Sequence, residues 1–164
     1  MFNIGDIIVY SSQGLGAIDL IEEREFKNQN QNYYIIKTLN NSMKLSLPVD
    51  RVEALNIRYI SSGETIDKSL NSLAAFIADG GNHDIGNVKE RAITNAAKLK
   101  SGTLEDNLEV IYNLHNASIN SKLNFNEKQI LNNTMNFVIS EISYVKSISV
   151  EEAEYMVNNV MGIK

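Results

Sequence analysis

Few residues of this 164-residue chain could form an active site. The chain contains no cysteine, which excludes disulfides, thiolate metal sites and a thiol nucleophile. Its two histidines stand in different segments: His83 in a loop beside an aspartate, and His115 on the apolar side of a predicted helix. No serine elbow, phosphate-binding glycine loop or HExxH motif accompanies them. We therefore expect no catalytic residues, no cofactor and no metal.

One helical segment offers side chains that suit phosphate oxygens. Asn87 followed by Glu90 has the spacing of an N-cap, so a helix should begin there. At helical spacing Asn87, Arg91, Asn95 and Lys98 share one face, which combines cations, amides and a helix N-terminus. Many solvated helix faces have this composition, so DNA contact and an ordinary surface both remain open.

A second pattern in the same segment favours a different role for one residue. Val88, Ala92, Ala96 and Leu99 recur at i, i+4, i+8 and i+11, which is the spacing of an apolar helix stripe. On this pattern a core position for Val88 is one alternative, and a surface position that could touch DNA is the other.

The elements that must position these residues divide the chain near residue 61. Residues 1–60 hold short β-branched and aromatic runs separated by turn signals, and the polar stretch 28–32 is typical of a hairpin loop. Four or five short strands predict a small antiparallel β-barrel or curved sheet. The strands are expected at residues 7–10, 15–23, 33–36, 43–48 and 56–60.

The second half, residues 61–164, has helical periodicity instead. About five apolar stripes are separated by short links, and Asn124 to Glu127 and Ser149 to Glu152 have capping-box spacing. A compact all-α domain is expected. The complete chain is thus predicted to be an α+β protein with a β-domain at residues 1–60 and a helical domain at residues 61–164.

Charge is divided unequally between the two halves. The chain carries a net charge of −5, of which −1 falls in residues 1–60 and −4 in residues 61–164. This acidity argues against a general DNA coat, because Lys and Arg carry non-specific binding to phosphates. No apolar run approaches the length of a membrane span and no secretory signal is visible, so we expect a cytoplasmic protein.

The order of these segments resembles the CarD/CdnL family of bacterial transcription regulators. The opening resembles the family's V-G-D-x-V-V-Y-P-x-x-G-x-G-x-I run, with Ser11 where the family has proline. Later segments resemble the family's Y-Y-x-L, M-x-L/V-x-V-P, L-x-x-G-D and L-S-x-x-E-K-x-x-L motifs. The matching segments are residues 2–10, 14–18, 33–36, 43–49, 98–102 and 123–131.

The resemblance implies a fold and two partners. The first part would be a Tudor-like domain similar to the polymerase-interacting domain of transcription-repair coupling factors, which adds a strand edge to the β-subunit lobe of RNA polymerase. The second part would be a helical domain that lies on promoter DNA at the upstream edge of the transcription bubble. Family members modulate the stability of the open complex, and this role requires no catalysis.

The resemblance also implies which residues meet polymerase. Arg24 occupies the position of a basic residue near the end of the second strand, whereas Ser46 replaces an arginine before the valine-proline of the fourth strand. With their neighbours Glu25, Lys44 and Pro48 they form the candidate polymerase site.

The family's N-W-x-x-R motif corresponds to residues 87–91. Asn87 and Arg91 are retained, but the tryptophan that acts as a minor-groove wedge is replaced by Val88. With Lys89 and Lys98, these three residues form the candidate DNA site, and only weak, salt-sensitive binding is expected from it. The alternative is a protein-interaction module whose helical domain does not touch DNA.

Overall fold

A computed structural model of the chain describes residues 1–11, 13–81 and 86–163. The chain forms two compact units, Met1–Ile60 and Ser61–Lys164. The first unit is a five-stranded antiparallel sheet and the second contains five α-helices, which confirms the predicted α+β fold. Within the described ranges, no helix is long and apolar enough to cross a membrane. The loop histidine, His83, lies outside the described residues.

The first unit is built on one sheet whose neighbouring strands are all antiparallel. The strand order is β4-β3-β2-β1-β5, so β4 and β5 form the two edges. A short 3-10 turn, Val49–Arg51, follows β4. The strands are β1 (Ile7–Tyr10), β2 (Gly14–Phe26), β3 (Gln29–Thr38), β4 (Lys44–Pro48) and β5 (Ile57–Tyr59).

Alternation along β3 separates the sheet's core side from its other side. Tyr34 and Ile36 are buried among apolar side chains from the other strands, and the Tyr34 hydroxyl accepts a hydrogen bond of 2.9 Å from the Phe2 backbone N–H. Tyr33 and Ile35 point to the opposite side, as the two-residue period of a strand requires. The core residues are Phe2, Ile8, Ile18, Tyr34, Ile36, Leu47 and Ile57.

The predicted hairpin loop at residues 28–32 is wrong in its extent. Lys27 and Asn28 both have positive φ angles, 52° and 59°, and they form the whole connection between β2 and β3. Two consecutive residues with positive φ give a tight turn whose twist matches that of the flanking strands. The polar residues from Gln29 onwards therefore continue as strand, with Gln31 opposite Arg24.

The second unit consists of five helices with clear start signals. The predicted capping boxes at Asn124 and Ser149 are confirmed, and Asn87 forms a third one with Glu90. In each box the cap side chain and the third-residue glutamate satisfy backbone N–H groups that have no partner inside the helix. The helices are α1 (Gly63–Ala78), α2 (Val88–Ser101), α3 (Leu104–Asn120), α4 (Phe125–Lys146) and α5 (Val150–Met161).

Helix α2 packs mainly through a face that adjoins the one its apolar spacing predicts. The main apolar core is formed by α1, α3, α4 and α5, whereas the one fully buried residue of α2 is Asn95. Val88 is 48% exposed, and Ala92 and Ala96 are also exposed, so of the two alternatives for Val88 the core position is wrong. The physical reason is that the adjoining face, which carries Arg91, finds polar partners inside the unit, whereas of the apolar stripe only Leu99 packs against a core cluster.

A buried ion pair joins the beginning of α2 to the beginning of α4. The Arg91 Nε donates to Glu127 Oε1 at 2.9 Å, and the two side chains are only 9% and 5% exposed. The Arg91 Nη1 also donates to the Gly86 carbonyl at 3.2 Å, while Glu127 Oε2 accepts from the Asn124 N–H at 3.0 Å. One carboxylate therefore caps α4 and holds α2 in place.

We expect Arg91→Ala to destabilise the helical unit by about 3 kcal/mol or more, because it leaves the Glu127 carboxylate buried without its cation. Urea unfolding followed by helical circular dichroism measures this loss. Lys68→Ala is the matched control, since Lys68 pairs with Glu64 at a site where both side chains are more than 70% exposed. The control should lose no more than about 0.5 kcal/mol. Equal losses for both variants would contradict a structural role of the buried pair.

Candidate functional site

The free side of edge strand β4 presents backbone groups that a further strand could bind. The Thr38 N–H donates to the Met43 carbonyl at 2.9 Å, which makes these residues a hydrogen-bonded pair. Because such pairs alternate along an antiparallel ladder, Leu45 and Leu47 direct their backbone groups towards β3. Lys44 and Ser46 therefore direct their N–H and C=O groups towards the open edge.

A shallow groove of about 330 Å³ lies beside this edge, on the side of the sheet opposite its core. Three of the five candidate polymerase residues, Arg24, Lys44 and Ser46, line it together with apolar side chains. The antiparallel register brings them together: Ser46 lies opposite Ile35, and Ile35 lies opposite Leu20. The complete lining is Leu20, Glu22, Arg24, Ile35, Lys44, Leu45 and Ser46.

Two ion pairs hold the groove's cations. Arg24 pairs with Glu22, and its guanidinium lies 5.4 Å from the centre of the Tyr33 ring. The Lys44 Nζ lies 2.9 Å from Asp19 Oδ2, and this hydrogen bond lowers the pKa of Asp19 below its ordinary value. Both pairs are substantially exposed, so they orient the cations without removing them from water.

Of the other two polymerase candidates, Pro48 lies near the groove and the Glu25 side chain points away from it. Pro48 ends β4 opposite Tyr33, and it has no N–H to offer at the edge. Glu25 follows Arg24 directly, so strand alternation sends its side chain to the other side of the sheet. The sequence reasoning missed Leu20, Glu22, Ile35 and Leu45. Alternation in residues 20–24 and 33–37 indicates which side chains share a side of each strand, but it does not give the register that brings the two strands' residues together.

The candidate DNA residues divide into two groups. Asn87 caps α2: its Oδ1 accepts from the backbone N–H groups of Lys89 and Glu90 at 3.0 and 3.1 Å. Arg91 is buried against Glu127. Lys98 pairs with Glu109 and lies 3.8 Å from Asp106 Oδ1. The face predicted to meet phosphates therefore binds other parts of the helical unit.

Two of the predicted residues remain at the surface of α2. Val88, the first residue of the helix, and Lys89 beside it are exposed. They are the candidate DNA residues that could touch a ligand without breaking an internal contact. In the described part of the chain, no cluster of three potential metal ligands occurs.

Comparisons with known proteins cover both units. Residues 2–61 match the CarD-like/TRCF RID domain, and residues 72–158 match the CarD C-terminal domain. A Bacillus subtilis (strain 168) protein named "Putative transcription factor YdeB" is 33% identical over 149 residues, which cover 91% of this chain and 95% of that protein. These families are transcription and interaction modules. The two domain matches and the relative that spans nearly the whole chain show that the chain belongs to the CarD/CdnL family of transcription regulators.

Proposed function

We propose that the protein binds the β-subunit lobe of RNA polymerase through its sheet unit and modulates open-complex stability through weak, largely non-sequence-specific promoter contact by its helical unit. The match of residues 2–61 to the CarD-like/TRCF RID domain supports polymerase interaction in general. The observation that carries the β-lobe proposal is the open β4 edge beside a groove lined by Arg24 and Lys44.

The geometry of β4 suits the addition of one strand. Lys44 and Ser46 together offer two N–H donors and two carbonyl acceptors towards the edge. Each such bond contributes about 0.5–1.5 kcal/mol net, so the backbone contact alone gives modest affinity. The groove supplies apolar contact through Leu20 and Ile35 and two oriented cations. Pro48 ends the ladder, which limits the edge to a short partner strand.

On the DNA side, we expect contact from Lys89 and Val88, whose side chains are exposed. Few phosphate contacts are then available, and the helical unit carries −4 of the net charge. The affinity for DNA of any sequence should therefore be low. The logarithm of this affinity should fall with the logarithm of the salt concentration along a shallow slope. A regulator of this kind shifts the closed-to-open equilibrium only by its differential affinity for the two states, and 1.4 kcal/mol suffices for a tenfold shift.

A second candidate function is supported by the paired state of Arg91 and Lys98. Since both cations are engaged by carboxylates inside the unit, the helical unit could bind protein instead of DNA. In that case the chain would be a polymerase-binding interaction module. The DNA prediction below separates the two candidates.

For polymerase binding, we expect Ser46→Pro in the full chain to weaken capture of the polymerase β lobe at least tenfold. Proline removes an N–H that points to the open edge and leaves the β3–β4 bonds in place. Ser46→Ala keeps that N–H and should bind like the wild type. Binding measured by interferometry tests both variants. Equal affinity for Ser46→Pro and Ser46→Ala would exclude strand addition at β4.

For DNA binding, we expect Lys89→Glu to weaken binding to a fork-junction promoter fragment about fivefold or more at low salt. The slope of log affinity against log salt concentration should decrease in magnitude by about one. Fluorescence anisotropy with polymerase present measures both quantities. Lys68→Glu is the control, since it makes the same charge reversal on α1. If the wild type and Lys89→Glu give the same anisotropy, the interaction-module candidate is favoured.

A further inference from the structure

The first residue of α4, Phe125, is an aromatic side chain left in water. It is 81% exposed, more than any other large hydrophobic side chain in the described helices. Burial of a phenylalanine is favourable by about 1.5–3 kcal/mol, so folding gains little from this position. Its exposure is compatible with contact to a ligand.

The buried ion pair of the unit links the beginning of α4, where Phe125 stands, to the beginning of α2, where Val88 stands. Gly86, just before α2, accepts from Arg91, and Arg91 donates to Glu127 on α4. Glu127 in turn accepts from the backbone N–H of Asn124, which directly precedes Phe125. A short chain of contacts of 2.9–3.2 Å thus joins the two helix beginnings, and each begins with an exposed apolar residue.

The exposed side of α4, all of which the structure describes, carries no acidic side chain that would repel nucleic acid. The helix contains two acidic residues, Glu127 and Glu141, and both are buried. Its exposed residues in the first three turns carry an aromatic ring, a cation and amides. They are Phe125, Asn126, Lys128, Gln129, Asn132, Asn133 and Asn136.

Helix α5 shows that this distribution is particular to α4. Glu151, Glu152 and Glu154 are all exposed there, beside the exposed aromatic ring of Tyr155. The unit's overall charge of −4 acts on a polyanion at either helix. The exposed acidic side chains of α5 would in addition repel it locally. Lysine and amide side chains are common donors to phosphate and sugar oxygens. The charge pattern therefore favours nucleic acid over a basic protein as the occupant of α4.

We infer that Phe125 supplies the aromatic contact to DNA by stacking on an unpaired base at the edge of melted duplex. The inference rests on the proposed DNA contact of the helical unit and deepens it. An aromatic ring at this position stacks on any base, so it adds affinity for the melted state without reading sequence. It also makes the contact selective for open over fully paired DNA.

The test uses the full-length protein with RNA polymerase present, and a duplex that ends in two unpaired arms, with 2-aminopurine as the first unpaired base. A fully paired duplex of the same sequence is the second probe. We expect Phe125→Leu to weaken binding to the forked probe about fivefold or more and to leave binding to the paired duplex unchanged. The change in 2-aminopurine emission that stacking produces should disappear in this variant. Phe125→Trp should retain both signals.

Tyr155→Leu is the matched control, because it removes an aromatic ring that is 70% exposed on the acidic helix. It should bind both probes like the wild type. If Phe125→Leu binds the fork normally while Lys89→Glu does not, the DNA function stands and the role of Phe125 is overturned. A loss as large in Tyr155→Leu as in Phe125→Leu overturns it as well. If the wild type binds neither probe, the proposed DNA function fails together with this inference.

Discussion

The buried ion pair between Arg91 and Glu127 determines how helix α2 is held. A buried arginine or glutamate is tolerated only when its partner and further hydrogen bonds compensate the lost hydration, and here one carboxylate also caps α4. Around the pair, α2 buries Asn95 and holds Lys98 against Glu109, so polar contacts specify its docking. With its inner face occupied in this way, Val88 and Ile93 remain exposed, and Leu99 is the one larger apolar side chain of α2 that packs against the unit.

In the sheet unit, the residues that form the core and the residues that form the candidate binding site lie on different sides of the sheet. Its apolar core, which includes Tyr34, occupies one side of the sheet, while the groove on the other side and the β4 edge stay available. Alternation along a strand makes this division automatic, because each core residue is flanked by residues of the opposite side. Ser46 thus lies between Leu45 and Leu47 and directs its backbone outward. An edge strand that ends in Pro48 is open to one short partner and resists longer pairing.

Much of the fold could be predicted because its signals are local. The capping box at Asn124 and the change from β-branched runs to helical spacing near residue 61 each involve a few neighbouring residues. The inner face of α2 could not be identified in this way, since Glu127, its partner, lies 36 residues further along the chain. Apolar spacing alone favoured the Val88 stripe, and periodicity cannot say which of two stripes faces inward. The groove escaped prediction because an irregular register between Ile18 and Leu20 places Leu20 beside Ile35.

A weak DNA contact is sufficient if polymerase supplies the proximity. Since Arg91 and Lys98 are held inside the helical unit, most of the affinity that a basic patch would give is absent. A chain already attached to polymerase meets the promoter at an effective concentration in the millimolar range, so contacts too weak to hold free DNA are still formed. Under that condition the quantity that matters is selectivity for the melted state. A contact that depends on unpaired bases acts on the open complex alone, whereas phosphate contacts would stabilise closed and open complexes alike.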